Sequence, residues 1–104
     1  MTSTTTIDQL EAARLRGCRI LDVREPHEYW AGHVPGAASM PVSQVPLRMD
    51  ELGRRRPVYV ICESGNRSSR VATYLHGHGI EAISVAGGTA AWRAAGRPLR
   101  SRES

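Results

Sequence analysis

The chain has 104 residues and a mass of 11.4 kDa, which leaves room for one domain with a modest hydrophobic core. A hydrophobic share of 40% excludes wholesale disorder, and no apolar run approaches the roughly 18 residues that a membrane span needs. The net charge of +4 comes from scattered arginines without a nucleic-acid-binding motif, so the expected partners are small anions or an acidic protein, not nucleic acid or a membrane.

The N-terminal segment and the cysteine count indicate a reducing compartment. The segment MTSTTTIDQL has neither the basic start nor the apolar stretch of a secretory signal, so a cytoplasmic location is expected. The two cysteines, Cys18 and Cys62, are too few for a disulfide scaffold and are expected to stay thiols. No group of histidines and cysteines has metal-ligand spacing, and neither a metal nor another cofactor is expected.

The first half of the chain predicts short helices between short strands. Thr6 and Gln9 resemble a capping box that opens a helix running to about Arg16. A strand is predicted over 18–23, a short helix over 25–31 with proline in its first turn, and a second strand over 38–41. Ser43 is then expected to cap a helix that runs to about Arg55.

The second half contains the most strand-like segment, PVYVIC over 57–62. It is apolar at nearly every position, as expected for a central parallel strand that is covered on both faces. A loop over 63–67 leads to a helix over 68–78, which Gly79 ends. A strand over 80–85 and a helix over 89–95 follow. Strands that alternate with helices predict an α/β domain with a parallel sheet.

Cys62 stands where the buried strand meets a glycine-containing loop and then a helix. Ligand sites of α/β sheets lie beyond the carboxyl ends of the strands, where Cys62 is expected. Gly65 and Asn66 tolerate positive φ, so the loop can turn its backbone amides toward one point, and the helix N-terminus adds further N–H groups. Lowering a thiol pKa by two units needs roughly 2.7 kcal/mol, which one or two charge-assisted hydrogen bonds can supply. The pattern therefore predicts a stabilised thiolate or persulfide at Cys62.

Four segments together resemble the rhodanese domain family: ILDVREPHEYWAGHVPGA from Ile20, VYVICESGNRSS from Val58, YLHGHGI from Tyr74 and VAGGTAAWRAAGRP from Val85. The resemblance covers about 7–99 of a single domain over 1–104, with 100–104 expected as a flexible tail. It implies a three-layer α/β/α fold around a parallel, roughly five-stranded sheet. It also implies a sulfurtransferase that needs no cofactor.

In the reaction that the resemblance implies, Cys62 takes a sulfane sulfur from thiosulfate or another persulfide donor. The persulfide then passes the sulfur to an acceptor, which is cyanide in the standard assay and a thiol, or a partner protein, in the cell. The resemblance implies that an active-site loop binds the substrate and consists of Glu63, Ser64, Gly65, Asn66, Arg67 and Ser68.

Four residues besides the nucleophile and the rest of its loop carry further expectations. Arg67 would either bind the anionic oxygens of a donor through a bidentate contact or brace the loop from outside. Asp22 and Arg24 match the family's Asp-x-Arg pattern and are expected to support the site through an ion pair rather than through chemistry. Cys18 lies at the opposite end of the sheet and is expected to be a small buried hydrophobic residue.

Glu63 departs from the family pattern, because members with strong thiosulfate activity often carry a basic residue directly after the cysteine. A carboxylate there is expected to repel thiosulfate, although one exposed charge changes binding by only a fraction of a kcal/mol. A persulfide on glutathione or on a partner protein is therefore a second candidate donor.

Two other functions compete with free sulfur transfer. Related phosphatases and arsenate reductases place five residues between cysteine and arginine, whereas this chain has four between Cys62 and Arg67, so the tighter loop favours attack on sulfur over binding of phosphate. The chain could also serve as a persulfide carrier or regulatory module in a sulfur relay, with little free turnover.

Overall fold

A five-stranded parallel sheet organises residues 3–102, the part of the chain that this computed structural model describes. The strands are β1 (Ser3–Thr5), β2 (Arg19–Asp22), β3 (Ala37–Ser39), β4 (Val58–Ile61) and β5 (Ala82–Val85). Their order across the sheet is β1-β5-β4-β2-β3, and every pairing is parallel. The predicted α/β fold with about five parallel strands is confirmed.

Helices cover both faces of the sheet. They are α1 (Ile7–Leu15), α2 (Pro26–Ala31), α3 (Val45–Arg48), α4 (Asn66–Gly77) and α5 (Gly88–Ala94). Because successive strand residues point to opposite faces, Val60 packs with α4 residues in one buried cluster while Ile61 packs with Trp92 of α5 in the other. The result is the predicted three-layer α/β/α arrangement. No helix within 3–102 is long and apolar enough to cross a membrane.

The N-terminal residues form an edge strand that the sequence does not predict. Ser3–Thr5 pairs in parallel with Ile83–Val85 of β5. Three polar residues show no apolar alternation, so this strand depends on the free edge that β5 presents. Thr6 then caps α1, because its hydroxyl accepts a hydrogen bond of 3.1 Å from the Gln9 amide.

The single helix predicted from Ser43 to about Arg55 is wrong. The segment contains a 3₁₀ turn over Val42–Gln44, the short helix α3, and a second 3₁₀ turn over Met49–Leu52. Pro46 lies in the first turn of α3, where its missing amide hydrogen is tolerated, but the turns before and after α3 are 3₁₀, so the segment is not one continuous α-helix. Gly53, with φ +66°, ends the segment.

The loop after β4 is shorter than the sequence predicts. Helix α4 begins at Asn66, because Gly65 takes the left-handed conformation (φ +108°) and directs the chain into the helix. The sequence analysis allows Asn66 a positive φ as well, but in the structure its φ is not positive.

Part of the expected C-terminal tail packs against the domain. Arg100 and His33 exchange two backbone hydrogen bonds of 2.8 Å in an antiparallel bridge. The Arg102 guanidinium lies 5.2 Å from the Trp30 ring centroid. Residues 103 and 104 lie outside the described part of the chain.

Candidate active site

The Cys62 thiol lies at the carboxyl end of the central strand β4 and is 1% exposed. Its Sγ accepts hydrogen bonds from the backbone amides of Gly65 at 3.1 Å and Ser68 at 3.3 Å, and the Ser68 hydroxyl lies 3.5 Å away. The side chains of Ser64 and Asn66 are exposed. The loop therefore surrounds the sulfur with hydrogen-bond donors, as the sequence analysis predicted from its glycine and its following helix.

The hydrogen bonds around Cys62 favour its thiolate. Burial raises the pKa of the Cys62 thiol, but the Ser68 side chain and the amides of Ser68, Gly65 and Ser64 outweigh burial, so the pKa lies below its ordinary value. Cys18 is the opposite case, since burial raises its pKa despite nearby arginines. Cys18 is also half-buried rather than fully buried, and it lies just before the amino end of β2.

The N-terminus of α5 fixes the peptide groups of the loop. The Thr89 amide and hydroxyl donate to the Cys62 carbonyl at 2.9 and 3.1 Å, and the Ala90 amide donates to the Glu63 carbonyl at 2.9 Å. In a trans peptide the N–H points opposite to the carbonyl, so the Glu63 contact turns the Ser64 N–H toward Sγ. A Cβ on Gly88 would stand 2.5 Å from the Cys62 carbonyl oxygen, so this close approach requires glycine.

Asp22 and Arg24 form a buried ion pair beside the loop. Arg24 is 1% exposed, and its Nη2 and Nε donate to the Asp22 carboxylate at 2.8 and 3.0 Å. The same Nη2 donates to the Gly32 carbonyl at 2.9 Å. Asp22 is the last residue of β2 and is in register with Ile61 of β4, so the pair lies next to the strand that carries Cys62. The buried Arg24 guanidinium is fixed by these acceptors, so it can hold the neighbouring loop in place.

Glu63 is neutralised by two arginines. Its carboxylate oxygens lie 3.2 Å from Arg24 Nη1 and 2.9 Å from Arg93 Nη1 of α5. The sequence suggested an unpaired carboxylate that repels an anionic donor. Because both oxygens are paired, the repulsion is weaker than the sequence suggests.

Arg67 is bound to another part of the protein. Its two terminal nitrogens donate to the two Glu28 oxygens of α2 at 2.8 and 2.9 Å. The hydrogen bond from Arg67, which outweighs burial, lowers the pKa of Glu28 to about 2. This bidentate ion pair between α4 and α2 is the contact expected of an arginine that braces the loop from outside.

Sequence reasoning missed several residues that contact the site residues. Ser84 of β5 is 2% exposed, and its Oγ lies 2.8 Å from Ser68 Oγ. A hydroxyl at an inward position of an apolar strand is a signal that could have identified it. Glu28 and Arg93 resemble ordinary surface residues in the sequence, and only their tertiary partners distinguish them.

No group of three histidine, cysteine, aspartate or glutamate side chains in residues 3–102 is arranged to hold a metal ion. Separately, the hydrogen bonds from the Gly65 and Ser68 amides to Cys62 Sγ are suited to thiolate chemistry.

Comparison with known proteins finds a family model and curated relatives that match most of the chain. The family model described as Rhodanese-like domain matches residues 6–95. The chain is 38% identical over 81 residues to the uncharacterized protein YqhL of Bacillus subtilis, covering 77% of this chain and 64% of YqhL, so it spans about two thirds of that relative. It is 35% identical over 86 residues to a sulfurtransferase of Allochromatium vinosum, covering 81% of this chain and 79% of that protein. It is 34% identical over 87 residues to the thiosulfate sulfurtransferase GlpE of Pseudomonas entomophila, covering 83% and 80% of the two chains.

Solved structures have the same fold. A rhodanese-like domain protein from Staphylococcus aureus superposes with a TM-score of 0.83 at 32% identity, over 88% of this chain and 91% of that one. A rhodanese-related protein from Thermoplasma volcanium superposes with a TM-score of 0.86 at 29% identity, over 93% and 96%. Both similarities extend over nearly the whole of each chain.

Proposed function

The chain belongs to the rhodanese-like domain family, and from that premise we propose that it transfers sulfane sulfur through a persulfide on Cys62. The proposal rests on the environment of Cys62. Its Sγ is buried at the end of a strand and accepts two backbone hydrogen bonds. These bonds stabilise a sulfur anion without a separate general base.

The first half-reaction loads sulfur onto Cys62. The thiolate attacks the outer sulfur of thiosulfate, the sulfur–sulfur bond breaks, and its electron pair leaves with sulfite. The product is a Cys62 persulfide whose inner sulfur, Sγ, is the atom that the Gly65 and Ser68 amides contact. With a persulfide donor the same attack releases a thiolate instead of sulfite.

The second half-reaction unloads the sulfur. An acceptor, cyanide or a thiolate, attacks the outer sulfur of the persulfide, and Cys62 leaves as a thiolate. The leaving group benefits from the donors that lower the pKa of Cys62, because a weaker base leaves faster. The site therefore assists both halves with one set of hydrogen bonds.

We propose a wider class of sulfur donors than thiosulfate alone. Similarity to a protein named thiosulfate sulfurtransferase supports thiosulfate. Glu63 favours a less charged donor, but its pairing with Arg24 and Arg93 makes its effect small. We therefore propose thiosulfate and persulfides on thiols or partner proteins as donors of the same site.

A persulfide carrier with little free turnover is the second candidate function. The burial of Cys62 favours it, since a persulfide held in this loop is shielded from solvent thiols until an acceptor docks. Carrier and enzyme differ in rate: a carrier loads sulfur fully but releases it slowly to cyanide or a small thiol.

The test compares Cys62→Ser with Cys18→Ser as the matched control. After exposure to thiosulfate or glutathione persulfide, intact mass of the wild type and Cys18→Ser should increase by one sulfur atom, and Cys62→Ser should not gain it. Uptake by Cys62→Ser would refute the assignment. Release to cyanide then separates enzyme from carrier, and phosphate release from a phosphatase substrate without thiocyanate formation would overturn sulfur transfer as the function.

A further inference from the structure

Ser84 carries a buried hydroxyl on the face of the sheet that bears the active-site sulfur. It is the register partner of Val60 in β4, and Cys62 lies two residues beyond Val60 on the same face. Ala82, two residues earlier on β5, belongs to the apolar cluster that includes Cys62. A hydroxyl in such surroundings is unfavourable without a hydrogen bond, and its partner is Ser68 Oγ at 2.8 Å.

The Ser68 hydroxyl has one proton and three neighbours that compete for it. Its Oγ lies 2.8 Å from Ser84 Oγ, 3.2 Å from the Gly65 carbonyl oxygen and 3.5 Å from Cys62 Sγ. When Cys62 is a thiol, its hydrogen can point to Ser68 Oγ while Ser68 donates elsewhere. When Cys62 is a thiolate, Sγ can only accept, so Ser68 contacts it as a donor by turning its own proton toward Sγ, and the Ser68 oxygen then accepts from Ser84.

We infer that Ser84 is a positioning residue that donates to Ser68 Oγ and thereby holds the Ser68 hydroxyl as a donor to the Cys62 sulfur anion. The inference rests on the proposed role of Cys62 as nucleophile. The two hydrogen bonds form in series, and each polarises the other, so the chain of donors favours the thiolate over the thiol. Ser84 does not touch the sulfur and acts through Ser68 alone.

The charged groups around Cys62 do not belong to this chain of hydrogen bonds. They are Asp22 at the end of β2, Arg24 after it, Glu63 in the loop and Arg67 in α4, each with its own ion-pair partner. None contacts Ser84 Oγ, whose partner is a hydroxyl. A substitution at Ser84 therefore changes the hydrogen bonding of the sulfur without changing the charge near it.

The experiment measures the pKa of Cys62 from the ultraviolet absorbance of its thiolate, in a Cys18→Ser background so that one cysteine titrates. Ser84→Ala should raise this pKa by about half a unit to one unit, the change expected when one hydrogen bond is lost. At a pH below the pKa, the variant should then contain about three- to tenfold less thiolate than the wild type. Ser84→Thr, which keeps the hydroxyl, should restore the wild-type titration. Ser84→Gly replaces Ser84→Ala if the alanine variant does not fold.

The decisive comparison is a double-mutant cycle with Ser68→Ala. If Ser84 acts through Ser68, Ser84→Ala should produce no further pKa shift once Ser68 is alanine. An unchanged pKa in Ser84→Ala, or an equal shift with and without the Ser68 hydroxyl, would overturn the inference. The titration uses no sulfur donor, so its result does not depend on sulfur transfer. A failure of sulfur transfer at Cys62 would contradict the proposed function without deciding the role of Ser84.

Discussion

Replacing Gly88 by alanine tests whether the close approach of α5 holds the active-site loop. The new Cβ would stand 2.5 Å from the Cys62 carbonyl oxygen and 2.6 Å from that of Glu63, both of them backbone atoms. The left-handed backbone at Gly88 (φ +58°) adds about 1–2 kcal/mol for any L side chain. Overpacking against fixed backbone adds about 1–3 kcal/mol. We therefore expect Gly88→Ala to lower the free energy of unfolding by about 2–5 kcal/mol, a large part of the 5–15 kcal/mol of a typical domain.

Gly96→Ala is the matched control, because Gly96 also has positive φ (+75°) but no atom within 4 Å of an added Cβ. It should lose only the conformational part, about 1–2 kcal/mol. Urea unfolding measures both variants, and sulfur uptake by intact mass should fall in Gly88→Ala alone, since the shifted carbonyls would turn the Ser64 amide away from Sγ. Equal destabilisation of the two variants, or full sulfur uptake by Gly88→Ala, would refute the packing argument.

Two further predictions concern the ion pairs around the loop. Glu28→Gln should destabilise the protein by about 1 kcal/mol at neutral pH, because the partly exposed pair with Arg67 is screened by solvent. The ion pair lowers the pKa of Glu28 to about 2, so its stabilisation is present above the unfolded pKa near 4.3 and is lost as the pH falls toward 2. In urea unfolding at a series of pH values, the stabilities of wild type and variant should therefore converge near pH 2. A constant difference in stability down to pH 2 would contradict this prediction. Glu63→Gln should raise kcat/KM for thiosulfate about two- to threefold at low salt and less at high salt, and Arg93→Gln should lower it. No change in Glu63→Gln at low salt would show that Glu63 does not influence the donor.

The strands and helices near the site could be predicted because their residues carry local signals. PVYVIC is apolar on both faces, and the glycine-containing loop after it indicates a turn into a helix, so β4, Cys62 and α4 were expected in that order. The edge strand Ser3–Thr5 was missed because its polar residues pair only with the free edge of β5. The continuous helix predicted from Ser43 was wrong because a capping residue indicates where a helix can begin and does not determine whether the following turns are α or 3₁₀.

Partners distant in sequence could not be predicted in the same way. Glu28 and Arg67 are 39 residues apart, as are Arg24 and Glu63, and each residue alone resembles an ordinary surface or turn charge. Their pairing follows from the parallel order of the strands, which brings the segments after β2 and β4 to the same edge of the sheet. Sequence reasoning therefore left the role of Arg67 open and overestimated the free charge of Glu63.

The sequence by itself determined the α/β fold, the position of Cys62 at a strand end and the loop that follows it, because hydrophobic periodicity, glycine and loop length act over a few neighbouring residues. Only the tertiary structure decided which groups from other segments contact that loop. The Ser84 hydroxyl, the N-terminus of α5 and the arginines that neutralise Glu63 come from separate segments, and their distances exist only after the sheet has assembled. Hydrogen bonds and ion pairs depend on distances of about 3 Å, which no local pattern encodes for residues far apart in the chain.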